Sequence, residues 1–376
     1  MSASDLWHIV AGETGFADSG GVRIWYESIP ADGHEKGIVL LGIGMAGHSL
    51  FWPPGFLRGF SRSGYRMIRY DQRGTGESGW MPEWSRRHAY SLLDIAADPI
   101  TVLDALRIER AHVVGLSLGG FVAQEIAIGH PDRVISLTLM STASDPTDWD
   151  LAGPRFGPML RAGIPGLPLL RYRLIGGEKN LVKEIVAKTI AVNVYEGMDI
   201  QETAEFVLYE LRHRRSINLR TVFQHQATVA VTRSRYESLG ELRVPTMVIH
   251  GTADDFLPLA HARKLVELIP DAQHLWLEEV GQQFPYPDMP AITRKIVTHL
   301  DNAPLGPGAR TACAHTDVRR SDRLRDCLSC HPAPRARRKA AAWMPQTNSA
   351  RVLYALSSVR SSSRLPTPSF LKAEAS

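Results

Sequence analysis

Ser117 is the hydroxyl best placed by its neighbours to do chemistry. It sits inside Ala111 to Gly120, AHVVGLSLGG, as Gly115-Leu116-Ser117-Leu118-Gly119. A β-branched run precedes this G-x-S-x-G and a helical pattern, Phe121 to Ile128, follows it. A strand-to-helix reversal that tight lifts one hydroxyl clear of the sheet, and small residues two positions either side make the strained turn possible. The chemistry it suits is nucleophilic attack on a carbonyl carbon. The backbone N–H of Leu118 and the start of the following helix would face the oxygen that becomes negative. A second such donor is expected on the loop Ile43-Gly44-Met45. Met45 is the candidate, with Gly42 and Gly44 giving the backbone its freedom.

A serine nucleophile also needs a carboxylate and a proton carrier. His250-Gly251-Thr252-Ala253-Asp254-Asp255 follows a strand run and offers the carboxylate. Asp254 is preferred there and Asp255 is the near alternative. With the chain order serine, acid, base, the imidazole belongs after the next strand. Gln282 stands at that place, in Gly281-Gln282-Gln283-Phe284-Pro285. An amide can hydrogen-bond to a hydroxyl but has no proton equilibrium near neutral pH, so it cannot serve as general base and then general acid. Three readings follow: a hydrolase impaired by loss of its histidine, rescue by His48 or His225, or a ligand-binding protein without chemistry. His274 falls within a strand, eight positions early, and reads as a core or surface residue.

The elements that must position these groups alternate. Phe16 to Ser28 reads as a hairpin turning at Gly20-Gly21, and Gly37 to Ile43 and Tyr65 to Tyr70 read as buried strands. Leu92 to Leu106 has helical spacing, and Val134 to Met140 is a further strand. After a helical, irregular span from Thr142 to Gly240, strands return at Val244 to His250 and His274 to Glu278. Helices are expected around Leu259 to Ile269 and Ala291 to Leu300. This predicts a mostly parallel sheet with helices on both faces. The core is 1–141 and 241–302, with 142–240 inserted as a helical lid. The lid arginines, Arg161, Arg171, Arg173, Arg212, Arg214 and Arg215, read as a solvated face. The loop Asp71-Gln72-Arg73-Gly74-Thr75-Gly76-Glu77-Ser78 reads as structural.

The chain has 376 residues, 44% hydrophobic, and a net charge of +4. That charge is unevenly spread. From Ala303 onward there are 13 Lys plus Arg against 4 Asp plus Glu, leaving 30 basic and 35 acidic residues before it. The basic balance therefore belongs to a tail, 303–376, expected to be disordered, and the body gives no reason to propose nucleic acid. No apolar run is long enough to span a bilayer and no signal-peptide pattern opens the sequence, so a cytoplasmic protein without a membrane partner is expected. Cys313, Cys327 and Cys330 all lie in the tail. Cys327-Leu-Ser-Cys330-His331 has haem-attachment spacing and Cys313-Ala-His315 a zinc-like one, but both read as accidental matches. No metal and no cofactor is expected.

With these residues in view the chain resembles the α/β-hydrolase superfamily, and within it the aclacinomycin methylesterase-like branch. The resemblance covers about residues 16–301. It rests on the Gly42 to Pro53 loop with Trp52-Pro53, DQRGTGES, HVVGLSLGG, and VPTMVIHGTADD with its following helix and strand. It implies an α/β-hydrolase fold, Ser117 as nucleophile, Asp254 as acid, and Leu118 and Met45 as oxyanion donors. The substrate implied is a small-molecule carboxylic ester or lactone. The superfamily pattern G-H-x-x-P has histidine where this chain has Gln282.

Overall fold

The apolar runs of this sequence are short, β-branched and separated by amphipathic stretches, a pattern that buries strands on both faces and helices on one. The structure, a computed structural model, describes residues 11–81, 83–85, 89–145, 147–148, 150–153, 175–183, 204, 207–208, 219–230, 232–282, 284 and 288–304. The chain divides into two units, Met1–Thr311 and Ala312–Ser376. The second lies outside the described residues, as do the lid arginines and the tail cysteines.

Eight strands form one sheet: β1 (Glu13–Ser19), β2 (Val22–Ile29), β3 (Gly37–Gly42), β4 (Tyr65–Tyr70), β5 (Ala111–Leu116), β6 (Val134–Met140), β7 (Thr246–Gly251) and β8 (Gln273–Leu277), in the order β1-β2-β4-β3-β5-β6-β7-β8. β1 and β2 pair antiparallel, β2 meets β4 antiparallel, and every other pairing is parallel. The helices are α1 (Pro54–Arg62), α2 (Leu92–Ala105), α3 (Leu118–Gly129), α4 (Leu219–Ala230), α5 (Tyr236–Gly240), α6 (Leu259–Leu268) and α7 (Met289–Asn302).

Alternation along each strand sends neighbouring side chains to opposite faces. Leu40, Ile68 and Val113 pack with Ile95, Leu103, Phe121, Ile126 and Leu265, the apolar faces of α2, α3 and α6. Val39, Leu41, Met67 and Val114 pack with Phe56, Leu57, Phe60, Ile292 and Ile296 of α1 and α7. Both cores are sealed, and burying each such side chain contributes about 1.5–3 kcal/mol. α2 starts on a capping box, with Ser91 Oγ accepting from Asp94 N and an Asp94 carboxylate oxygen accepting from Ser91 N. Four parallel strands, β3, β5, β6 and β7, thus end side by side, and β8 joins them at the edge. No described helix is long and apolar enough to cross a membrane.

Candidate active site

β5 ends at Leu116 and α3 begins at Leu118, so Ser117 alone makes the turn. Its φ of 53° and ψ of −114° lie where L residues are strained. Four hydrogen bonds hold it there, one of them from Phe121 N to the Ser117 carbonyl at 3.2 Å. Its N–H donates to Met140 O at 2.9 Å, and its carbonyl accepts from Gly120 N at 2.8 Å and from the Thr142 hydroxyl at 2.9 Å. The turn is possible because α3 runs hard against two strand ends. A Cβ on Gly119 would collide with the carbonyl oxygen of Gly42 and stand 2.8 Å from that of Ile43. A Cβ on Gly115 would collide with Gly119 O. As the first helical residue, Leu118 has no carbonyl one turn earlier in the helix to bond with, so its N–H has no intrahelical partner.

The loop after β3 passes beside this serine. A Cβ built on Gly44 would stand 3.5 Å from Ser117 Cβ. Residues 43–49 are held by the 71–78 loop at both ends. Gln72 Nε2 donates to Ile43 O at 2.8 Å, and Ser49 N donates to Asp71 Oδ1 at 2.8 Å. The other Asp71 oxygen accepts from Glu77 N, and Ser78 Oγ donates to Asp71 O. Arg73 makes a bidentate pair with Asp98 inside the protein and also donates to Asp94 O. The 71–78 loop is therefore scaffolding, as its sequence suggests, and what it scaffolds is the loop that carries Met45.

Asp254 lies just past β7 and is 4% exposed, whereas Asp255 is half-exposed. The Asp254 Oδ1 accepts from the N–H groups of Phe256 and Leu257, both at 2.9 Å. Its Oδ2 makes no hydrogen bond among the described residues and lies 3.4 Å from His250 Nε2. That nitrogen is committed to Leu257 O at 2.7 Å. Burial pushes the Asp254 carboxyl up to about 7, against the pull of the two amides. Burial also holds the His250 ring neutral, with a pKa of about 4.

Gln282 comes up beside the Asp254 segment, because Ala253 N donates to Val280 O at 3.0 Å and Gly251 packs against Val280 and Gly281. Its Nε2 donates to Ser141 O at 3.2 Å, while its Oε1 is buried without a hydrogen-bond partner among the described residues. Ser141 follows β6 with a φ of 40°. Since the next residue, Thr142, bonds to Ser117 O, the short turn after β6 ties Gln282 to the serine. Nothing in the sequence singled out this turn.

The other histidines are engaged elsewhere. His48 is 1% exposed, its ring 4.7 Å from that of Phe51. His225, on α4, is fully buried, with Nδ1 accepting from Ala46 N at 3.1 Å and Nε2 3.3 Å from Arg73 O. His274 lies exposed on β8, stacked on Trp276 at 4.7 Å. Among the described residues no cluster of His, Cys, Asp or Glu has the geometry of a metal site. A cavity lined by Val244, Thr246 and His299 opens at the amino ends of β7 and β8, the opposite end of the sheet from Ser117.

A serine on a strained turn between a buried parallel strand and a helix, with loops gathered at the carboxyl ends of the strands, defines a class of protein. Residues 37–282 match the alpha/beta hydrolase fold family, and the chain belongs to it. Within that family it is 28% identical over 275 residues to rhodomycin D methylesterase DauP of Streptomyces sp., covering 70% of this chain and 90% of that one. This agrees with the methylesterase-like branch that the motifs suggested. Over 117 residues, 31% of this chain and 41% of the other, it is 41% identical to the putative carbamate hydrolase RutD of Variovorax paradoxus. Its fold is also that of the esterase EaEST from Exiguobacterium antarcticum, with a TM-score of 0.58 at 18% identity, covering 77% of this chain and 100% of that one.

Proposed function

We propose that the protein is a serine hydrolase acting on a carboxylic ester or lactone of a small molecule through an acyl-enzyme at Ser117. The observation that carries this reading is the backbone of Ser117, strained at φ 53° at the tip of β5. A fold stores such strain where a side chain must be presented, and purely structural turns seldom require it. The Ser117 Oγ attacks the carbonyl carbon, and the N–H groups of Leu118 and Met45 receive the oxyanion. The C–O bond to the leaving group breaks, and water then cleaves the acyl-serine ester to release the acid. On this reading the inserted span 142–240, much of which lies outside the described residues, serves as the lid.

Asp254 is the acid of the triad, and the missing partner is the imidazole between it and Ser117. Gln282 occupies that place and cannot take the serine proton, so proton removal falls to solvent and turnover is impaired. Loss of a triad base costs on the order of 10⁶ in kcat, while binding and the oxyanion donors retain roughly 10³ to 10⁴ over water. A second reading, a ligand-binding protein without turnover, is favoured by one observation. The Gln282 amide is spent on Ser141 O, which braces the site without supplying a base.

The test is a panel of methyl esters, aryl esters, lactones and carbamates, run with the unaltered chain and with Gln282→His. The methylesterase relatives make a methyl ester the first substrate to try. The hydrolase reading expects a quenched reaction to yield an acylated peptide containing Ser117. A Gln282→His protein that binds members of the panel and never acylates Ser117 would support the ligand-binding reading instead.

A further inference from the structure

We propose that His225 is a positioning residue: it holds the middle of the oxyanion loop from α4, so that the geometry of the Met45 donor depends on that helix. This rests on the serine-hydrolase reading above.

The loop 43–49 is anchored at its ends by Gln72 and Asp71, through Ile43 O and Ser49 N. Between those anchors Gly47 N bonds only within the loop, to Gly44 O at 3.1 Å. Among the described hydrogen bonds, the link that reaches the middle from another element is Ala46 N to His225 Nδ1, at 3.1 Å. Ala46 needs such a link. Its φ of 54° is unfavourable for a residue with a Cβ, and a conformation of that kind persists only where its surroundings fix it. The Ala46 N–H belongs to the peptide unit that begins with the Met45 carbonyl. Fixing its direction fixes the peptide plane that follows Met45, and through the shared Cα this restrains where the preceding plane, which carries the Met45 N–H, can lie.

One tautomer satisfies both ring nitrogens. With Nδ1 accepting from Ala46, the proton resides on Nε2 and is donated to Arg73 O at 3.3 Å. Arg73 is itself locked to Asp98, so the ring bridges the oxyanion loop and a rigid part of the core. Burial keeps the ring neutral, with a pKa of about 4, so Nδ1 remains an acceptor at neutral pH.

The helix supplying this ring is built to grip loops. Its buried face carries Thr221, Gln224, His225 and Thr228, at i, i+3, i+4 and i+7, each at most 2% exposed. Thr221 Oγ1 donates to Gly74 O, Gln224 Nε2 to Met81 O, and Thr228 Oγ1 to Tyr90 O. A helix that adhered by apolar area alone would bury Leu or Ile there. This one satisfies carbonyls of the loops around the site.

The experiment uses the full chain carrying Gln282→His, with His225→Leu or His225→Asn added. Leucine removes the acceptor, whereas the Asn Oδ1 can occupy the place of Nδ1. Ser117-dependent aryl-ester hydrolysis, affinity for phenylboronic acid as a tetrahedral mimic, affinity for the product acid, and the thermal midpoint are measured on each. Complete loss of one oxyanion donor lowers kcat by about 10²–10³, so a misaimed donor is expected to lower it by about 10–100-fold. His225→Leu should show that fall in kcat with KM little changed, and boronate affinity should fall alongside it while product-acid affinity holds. His225→Asn should recover most of both.

A folded His225→Leu protein with unchanged kcat would overturn the role. So would equal losses in the Leu and Asn forms that track the thermal midpoint and leave the ratio of boronate to acid affinity intact. If the Gln282→His parent has no Ser117-dependent turnover, the serine-hydrolase reading falls and this role falls with it. Parental turnover that survives His225→Leu removes only the role.

Discussion

The two halves of the candidate site are finished to different degrees. At the ends of β3 and β5, Ser117 and the loop beside it are pinned on every side: Met140 O, Thr142, Gln72, Asp71 and His225 each hold one backbone group. At the ends of β7 and β8, two buried oxygens, Asp254 Oδ2 and Gln282 Oε1, have no hydrogen-bond partner among the described residues. A buried carboxylate oxygen without a donor is unfavourable by roughly 1–3 kcal/mol or more, and folded proteins seldom keep one without a use for it. On the proposed serine-hydrolase reading, an imidazole at position 282 is the group that would supply a donor to the first of these oxygens. The serine half is thus the more completely hydrogen-bonded of the two.

The contrast can be broken from the braced side first. Asp98→Ala would leave the Arg73 guanidinium, 8% exposed, without its counter-ion. A loss of about 3–5 kcal/mol in unfolding free energy is expected by denaturant titration. Loosening of the 71–78 loop should then appear as faster amide exchange in residues 43–49.

The acid half responds with the opposite sign. The folded Asp254 carboxyl titrates at about 7, above its usual 3.8, so its contribution to stability is complete below pH 3.8 and lost as pH rises through 7. Asp254→Asn should abolish this dependence and leave the protein at least as stable as the parent at pH 8. The linkage bounds the difference between pH 4 and pH 8 at about 4 kcal/mol. Buried histidines such as His112, depressed to about 4, run the other way in acid. The parent-minus-variant difference is therefore the quantity to follow.

A smaller effect probes the seam between the halves. Gly119→Ala drives a Cβ into the Gly42 carbonyl, so α3 must move away from β3. An expected loss of about 1–3 kcal/mol, checked by thermal unfolding, would accompany weaker boronate binding, because Gly42 leads into the oxyanion loop.

The serine half was legible because each of its parts has a local signature. Val113 and Val114 mark a strand buried on both faces, and Gly115 and Gly119 mark a turn that larger side chains would block. Helix and strand limits moved by a few residues for physical reasons. α3 begins at Leu118 rather than Phe121, since the first helical turn follows directly from the Ser117 backbone and carries no apolar periodicity of its own. β7 begins at Thr246 rather than Val244, after Pro245, which has no N–H to give to a ladder. Gln282 was singled out because the chain order serine, acid, base says where an imidazole is expected.

What sequence reading missed is the polar architecture. The face of α4 that packs inward is Thr, Gln, His and Thr, and a search for apolar periodicity takes such a face for the solvent side. His225, considered from sequence only as a substitute base, has both nitrogens engaged in hydrogen bonds to the backbone. The turn at Ser141 and Thr142 was equally hidden, since its importance lies in bonds to Gln282 and Ser117, distant in sequence and adjacent only because β6 lies between β5 and β7.

The central claim is that the site lacks a proton carrier and little else. It is tested most directly by the kcat/KM of Gln282→His for a simple aryl ester, measured beside the parent and the Gln282→His, Ser117→Ala double variant. The account predicts a rise of several orders of magnitude, up to on the order of 10⁶, that the second substitution removes. A folded Gln282→His protein no faster than the parent, or a parent that already turns over at ordinary rates through Ser117, would contradict it.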